Sequence, residues 1–441
     1  MTDSLEIKTL PTKELFVHVL TRDIRLEEAV LDLIDNCIDG AKRLHPGNEE
    51  RFDGRWVKIN FSANEFSIED NCGGISIETA QNYAFRFGRD PNMEQTPNSI
   101  GQFGVGMKRA LLRFGRKFTV VSATDSDYLK VIVDVDKWLA QPDANWSFTF
   151  DEKRPRGDEI IGTKIVVERL NDDAATRFST HEFQNELIYK LERNAQQYLT
   201  NGLAISVNKV PAKPQLAKFL LSDEILPVRN LKVYDEKSES PVHAEFLVGV
   251  SESSPMEAGW YIACNGRVIV SADQSRTTGW DTFRNEEGGL PKYHNQFSRF
   301  RGFLSFMCSD ASKLPWNTMK TGVDPDTVTF QDARREMIAL MRPIIDFLNK
   351  LDREAEDDPD DRPLSKMLLD AKPVAYNQAS TYTTSFKVTA PARPIGPKMV
   401  TIQFKRKKAE VDKLVVALDA SSARNAGELA WDEAIERYVE D

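Results

Sequence analysis

Nothing in the sequence approaches the ~18–20 consecutive apolar residues that a membrane helix needs. The opening MTDSLEIKTL also lacks the basic-then-apolar pattern of a secretory leader. A membrane span is therefore not expected, and the cytoplasm is the expected compartment. Cysteine is sparse: Cys37, Cys72, Cys264 and Cys308 are scattered, with no Cys-x-x-Cys pair and no histidine at metal-ligand spacing. Neither a disulfide framework nor a structural zinc is expected. Excess positive charge is missing as well. A net charge of −10 excludes a chain that coats nucleic acid over its whole surface and leaves only a local basic patch for such contact. No Gly-Lys-Ser/Thr closes a glycine-rich loop, so the Walker A way of holding phosphate is absent too.

What is present is the material of a globular protein of two or three domains: 441 residues, 41% hydrophobic and 29% charged. Along residues 23–44, Leu26, Val30, Leu33, Ile34, Cys37 and Ala41 recur at helical spacing and predict one buried face. Glu28, Asp32, Asp35, Asn36 and Asp39 share a stripe on the other side. Carboxylates three and four apart repel, so the stripe is either a solvated acidic face or a place where a cation collects. A carboxamide among carboxylates suits Mg²⁺, with Asn36 as the protein ligand.

Residues 56–62 and 65–70 alternate apolar and polar around a short turn and predict a β-hairpin. It ends at Asp70, and Gly73 and Gly74 let the backbone turn tightly beside a planar ligand. A buried Asp70 could accept a hydrogen bond from an exocyclic amine such as that of adenine, although Asp-Asn-x-Gly is also an ordinary turn. Further on, Gly101, Gly104 and Gly106 precede a helical run from Met107 and then a strand from Lys117. A glycine loop feeding a helix N-terminus presents free N–H groups that bind phosphate, and Lys108 adds a charge. The polar residues 86–98, with Pro91 and Pro97, read as a flap.

In order, DLIDNCIDGA, EDNCGGIS, SIGQFGVGMK and GTKIVV resemble the four ATP-site boxes of the GHKL superfamily: gyrase B, the heat-shock ninety-kilodalton chaperones, MutL and the MORC ATPases. Residues 70–118 resemble MORC proteins most. The resemblance implies an α+β fold, with a Bergerat-type ATP-binding α/β sandwich over residues 1–200 and a transducer-like α/β domain over 201–350. It implies ATP and Mg²⁺ as ligands, with Asn36 on the metal and Asp70, beside Gly74, on the adenine amine. Gly101, Gln102, Phe103, Gly104, Val105, Gly106 and Lys108 would surround the phosphates, and Thr163 would support Asp70 through a water. The family's water-activating glutamate is here Asp32, a shorter carboxylate, so either the water sits nearer the helix or hydrolysis is slow; Glu28, one turn earlier, is the weaker candidate. Cys72 stands where a glycine is usual, so the backbone there is not expected to need a glycine-only conformation.

Residues 180–199 predict one amphipathic helix, and 203–349 mix strands with a final helix near 332–350. GWYIACNGRVIV, 259–270, resembles the Asn-Gly-Arg strand of the transducer domain. LPWNTMKTGVD, 314–324, resembles the loop that returns a lysine to the γ-phosphate, which selects Lys320; an exposed loop lysine is the other reading. Residues 351–398 read as an acidic, then Pro/Thr-rich linker. Residues 399–441 parse as strand, helix, helix and resemble the ribbon-helix-helix fold of Arc and MetJ. Val400, Ile402 and Phe404 would face inward, Thr401, Gln403 and Lys405 outward, with Arg406, Lys407 and Lys408 on phosphates. That module either reads DNA or only dimerises. The expectation is a MORC-like ATP-gated homodimeric clamp, a slow ATP hydrolase acting on DNA. A non-catalytic nucleotide-dependent DNA-binding or assembly protein and a protein-folding chaperone with a protein partner are the alternatives.

Overall fold

A computed structural model of the chain describes residues 11–19, 21–45, 47–48, 50–88, 96–101, 104–142, 145–282, 289–357, 361–388 and 402–439. The predicted hairpin forms as β1 (Trp56–Phe61) and β2 (Glu65–Asp70), with Ile59 opposite Ile68 and Val57 opposite Asp70. With β3 (Gly115–Ala123), β4 (Asp127–Asp134), β5 (Phe150–Pro155), β6 (Gly162–Leu170), β7 (Ala204–Val207) and β8 (Val210–Pro211) it builds an eight-stranded sheet ordered β5-β4-β3-β6-β2-β1-β7-β8. The pairing of β1 with β7 is parallel and the others are antiparallel. The sheet thus extends past residue 200, the expected end of the first domain, because β7 carries Ile205 and Val207 into the core beside β1.

The α-helices of this part are α1 (Leu26–Arg43), α2 (Ile77–Thr79), α3 (Gly106–Phe114), α4 (Val135–Leu139), α5 (Asp172–Phe178), α6 (His181–Asn194) and α7 (Gln196–Thr200). The single helix expected over 180–199 is broken at Ala195, whose φ of −102° and ψ of 14° leave the helical region. Phe66, Phe114 and Phe178 pack with ring centroids 4.5–5.6 Å apart, and burial of each such ring contributes about 1.5–3 kcal/mol. Helix α1 packs against α3 and α6. It is buried nearly all round, not on one face as its apolar spacing predicts, and Asn36 is the one residue between Leu26 and Lys42 left exposed.

The second part holds β9 (Lys218–Leu221), β10 (Val228–Tyr234), β11 (Val242–Val250), β12 (Gly259–Cys264), β13 (Arg267–Asp273) and β14 (Phe300–Met307), with five strands ordered β10-β11-β14-β12-β13. The Asn-Gly-Arg segment is a hairpin, not one strand, because Asn265 and Gly266 take positive φ of 48° and 89°. Helix α8 (Val328–Arg353) packs on this sheet. The expected linker is also corrected over much of its length. Its residues fold into α9 (Pro363–Asp370) and β15 (Lys372–Ala375), which pairs antiparallel with β9, and Phe386 packs on Phe347 at 5.5 Å. Leu364, Met367, Leu368 and Phe386 are buried, which is what pins a Pro/Thr-rich stretch to the body.

The chain divides into two units, Met1–Glu354 with Leu364–Ala390, and Ala355–Pro363 with Pro391–Asp441. In the second unit α10 (Lys408–Ala417) and α11 (Ala423–Tyr438) form a helical hairpin. The strand expected before them does not form over residues 402–407, and its earlier part lies outside the described residues. The architecture is mixed α+β, and no helix among the described residues is long and apolar enough to cross a membrane.

Candidate functional site

β2 delivers Asp70 to the floor of a pocket and then turns sharply. Asp70 Oδ1 accepts the backbone N–H of Cys72 at 2.7 Å and Oδ2 accepts from the Cys37 thiol at 3.3 Å. Burial raises the Asp70 carboxyl above its ordinary value, although these donors and the Thr163 N–H work against it. Glycine is required at two close approaches here: a Cβ on Gly74 in the turn would lie 2.1 Å from the Ala123 carbonyl oxygen, and one on Gly162 at the start of β6 would lie 1.9 Å from that of Asp70. Gly73 and Gly74 take the left-handed positions while Cys72 does not, so a cysteine fits there. Thr163 reaches Asp70 through its backbone N–H, and its hydroxyl pairs with Ser122 Oγ at 2.9 Å. Ser122 also accepts the Ile75 N–H at 2.7 Å, a role with no signal in the sequence beyond a small hydroxyl in a buried strand.

The glycine loop is tied down by α1. Asp39 accepts the N–H groups of Ile100 and Gly101 at 2.8 and 2.7 Å. A Cβ on Gly101 would lie 3.0 Å from Asp39 Oδ2 and 3.6 Å from Asn36 Oδ1, so the loop passes directly over the exposed carboxamide. Gly104 is left-handed, Val105 precedes α3, and Gly106 starts it against Asp32. Gln102 and Phe103 lie outside the described residues, as do residues 89–95 of the expected flap. Lys108 is buried, donating to the carbonyls of Ala84 and Gly104, and burial lowers it to about 8.

The acidic stripe of α1 is neither solvated nor a metal cage. Asp32 Oδ2 takes Arg109 Nη2 at 3.0 Å, Lys320 Nζ lies 2.8 Å from Asp35 Oδ2 and 3.5 Å from Asp32 Oδ1, and Arg267 bonds Asp35 Oδ2 through Nη1. Burial works to raise the Asp35 carboxyl, but Arg267 and Lys320 overcome it and hold the group below its ordinary value. Lys320 is buried, not an exposed loop lysine, and its φ of 53° is a left-handed conformation uncommon for a side-chain-bearing residue. Glu28 faces elsewhere, onto a separate cavity of about 330 Å³ with Lys190 at 2.7 Å, which removes it from the pocket. Among the described residues no cluster of three His, Cys, Asp or Glu side chains could hold a metal.

These parts enclose one cavity of about 910 Å³, at the upper end of small-ligand sites. Asp32, Asn36, Asp70, Gly74, Gly101, Gly104, Val105, Gly106, Lys108, Thr163 and Lys320 all line it. Among the residues that hold these in place, the sequence marked Asp35 and Asp39 only as part of an acidic stripe and Asn265 and Arg267 only as part of the Asn-Gly-Arg segment, and it gave Arg109 and Ser122 no role. Asn265 lies in the turn between β12 and β13 and Arg267 opens β13, and the Asn265 amide donates to the Ser99 carbonyl at 3.0 Å.

No curated protein shows a significant match to the chain. Thr163, Asn265, Arg267 and Lys320 all lie C-terminal to the segment with a recognisable relative. Residues 24–154, which carry Asp32, Asn36, Asp70 and the glycine loop, match the family described as histidine kinase-, DNA gyrase B- and HSP90-like ATPase, and this supports assigning that segment to the GHKL superfamily.

Proposed function

We propose that the pocket binds ATP with Mg²⁺ and that the chain hydrolyses it slowly to open and close a dimer. The observation that carries this reading is one cavity with the buried acceptor Asp70 at one end and a glycine loop opening α3 at the other, with Lys320 reaching in from the second sheet's side. Asp70 would take the adenine amine. The N–H groups around Gly104 to Gly106 and the Lys108 ammonium would take phosphate oxygens.

The donor set fits Mg²⁺ in a specific way. Asp32, Asp35 and Asp39 are committed to protein donors, which leaves the Asn36 carboxamide as the oxygen offered to a cation. A single protein oxygen suits Mg²⁺, which keeps several waters and draws other ligands from phosphates. Bound there, the ion would neutralise phosphate charge.

Asp32 is the group to orient the attacking water, and Lys320 would meet the γ-phosphate. Only a contact made with the triphosphate and lost with the diphosphate can bias a two-state arrangement, and Lys320, which lines the pocket, would make it. Steady-state ATP turnover of wild type against Asp32→Ala tests the enzyme reading; equal background rates in both would reject it. The second reading is nucleotide binding without catalysis. It is favoured by the ion pairs that occupy both Asp32 oxygens.

A homodimeric, MORC-like clamp acting on DNA is supported by the second unit. Phe404, Val416, Trp431 and Tyr438 are exposed there, and Ala426 is its only buried residue among those described, so the helical hairpin lacks a core of its own. A second copy would cover these apolar groups, and a ribbon strand finds its hydrogen-bond partner only across such a dimer. Lys405, Arg406, Lys407 and Lys408 are exposed together and supply the local positive charge for a phosphate backbone. A protein client remains the alternative to DNA, tested by suppression of aggregation of an unfolded protein.

A further inference from the structure

The charged groups beside the pocket alternate in sign along one line: Glu28, Arg267, Asp35, Lys320, Asp32 and Arg109. Each carboxylate in the middle of this line has two cations, one of them Lys320. Asp35 is shared by Lys320 and Arg267, and Asp32 is shared by Lys320 and Arg109. Lys320 could therefore leave both carboxylates, and each would still hold an arginine. Arg267 is 2% exposed and bonds Asp35 through Nη1, so its pairing with Asp35 does not depend on Lys320.

We infer that Arg267 is a positioning residue that makes Lys320 transferable: by keeping Asp35 paired, it lets the lysine move from the helix to a terminal phosphate. Without Arg267, a departing Lys320 would strand a fully buried carboxylate, which is strongly unfavourable. The lysine would stay on Asp35, and the pocket would lose its ability to tell a triphosphate from a diphosphate. The inference rests on the ATP reading above and adds to it a residue on β13 that does not line the pocket.

The test is calorimetry on the full-length chain with ADP and with the non-hydrolysable β,γ-imido analogue of ATP, both with Mg²⁺. Wild type is expected to prefer the triphosphate analogue, and Lys320→Ala to lose that preference. Arg267→Gln is expected to lose it by about tenfold to a hundredfold, the scale of a coupling between two groups, with ADP affinity unchanged. Adding Asp35→Asn to Arg267→Gln removes the competing carboxylate and is expected to restore the preference, an effect that a purely structural role for Arg267 would not produce. The double variant strands no buried charge and serves where the single one fails to fold; in it a preference below that of wild type overturns the inference. A preference retained in Arg267→Gln, or no preference in wild type, also overturns it. Failure of wild type to bind either nucleotide overturns the ATP reading itself.

Discussion

Asn265 and Ser99 are joined across 166 positions of sequence, the Asn265 amide donating to the Ser99 carbonyl at 3.0 Å just ahead of the glycine loop. The same side chain donates to the Cys308 carbonyl at 3.0 Å and accepts the Cys308 N–H at 2.9 Å. Its φ of 48° is one that asparagine tolerates better than most residues. The loop expected to surround phosphate is thus held from below by Asp39 and from the side by a turn of the second sheet.

Asn265→Ala removes three buried hydrogen bonds and leaves their partners unsatisfied, and it is expected to lower stability by about 2–4 kcal/mol. Asn265→Gly relieves the backbone but not the hydrogen bonds, and so is expected to lose nearly as much. Urea unfolding of both variants checks this; a loss confined to the alanine variant would assign the effect to backbone conformation.

Asp70→Asn separates folding from binding. The Asp70 carboxyl is raised by burial, so its ionised form is disfavoured in the folded state, and the fold gains from this group as pH falls through the raised pKa. The neutral amide is expected to leave the unfolding temperature unchanged or higher. With Oδ1 still on the Cys72 N–H, the new NH₂ would face the adenine amine, donor against donor. Nucleotide affinity is expected to fall about a hundredfold, roughly 3 kcal/mol, by calorimetry.

Lys108 gives opposite pH trends for stability and for binding. Its value of about 8 lies below the ordinary 10.5, so the unfolded chain binds more protons between those limits, and this group's contribution to stability rises with pH across that window. A polyphosphate needs the ammonium form, so its affinity is expected to fall above pH 8, by up to about tenfold per pH unit. Proton uptake in calorimetry run in buffers of different ionisation enthalpy reads the same event. Lys108→Met should bind more weakly and without this pH dependence.

Two truncations distinguish the units. Ending the chain after residue 390 removes α10 and α11 and is expected to leave the unfolding temperature unchanged; on the proposed function it is also expected to keep nucleotide binding, to lose self-association by light scattering and to lose DNA binding by gel shift. Ending it after residue 363 also removes β15 and Phe386, exposes β9 and Phe347, and is expected to lower stability by several kcal/mol. Equal stability of the two would show that the return of residues 364–388 contributes nothing.

Local pattern carried much of this. The hairpin ending at Asp70 is visible because alternation has a period of two, and α1 because its apolar residues repeat at helical spacing. The four boxes brought together Asn36, Asp70, the glycine loop and Thr163 because each sits in a short motif. What was not visible is what closes over α1. An acidic stripe reads the same whether water or buried cations face it, and Arg267 and Lys320 are more than 230 positions away from their carboxylate partner on α1. The return of residues 364–388 was missed for a related reason: a Pro/Thr-rich stretch looks like a linker until β9 offers it an edge.

The placement of β6 bears on what can be cut out of this molecule. The recognisable segment ends at residue 154, yet β6 begins at Gly162 and lies between β3 and β2, the middle of the first sheet. Excised at its recognisable limits, the segment would have two half-sheets with raw edges, and Asp35 would lose both of its counter-ions. The stretch with a recognisable relative is therefore not the stretch that can fold by itself; the smallest autonomous piece has to run through β13 and the loop carrying Lys320. Exchange of this segment between proteins by recombination would need its neighbour to travel with it.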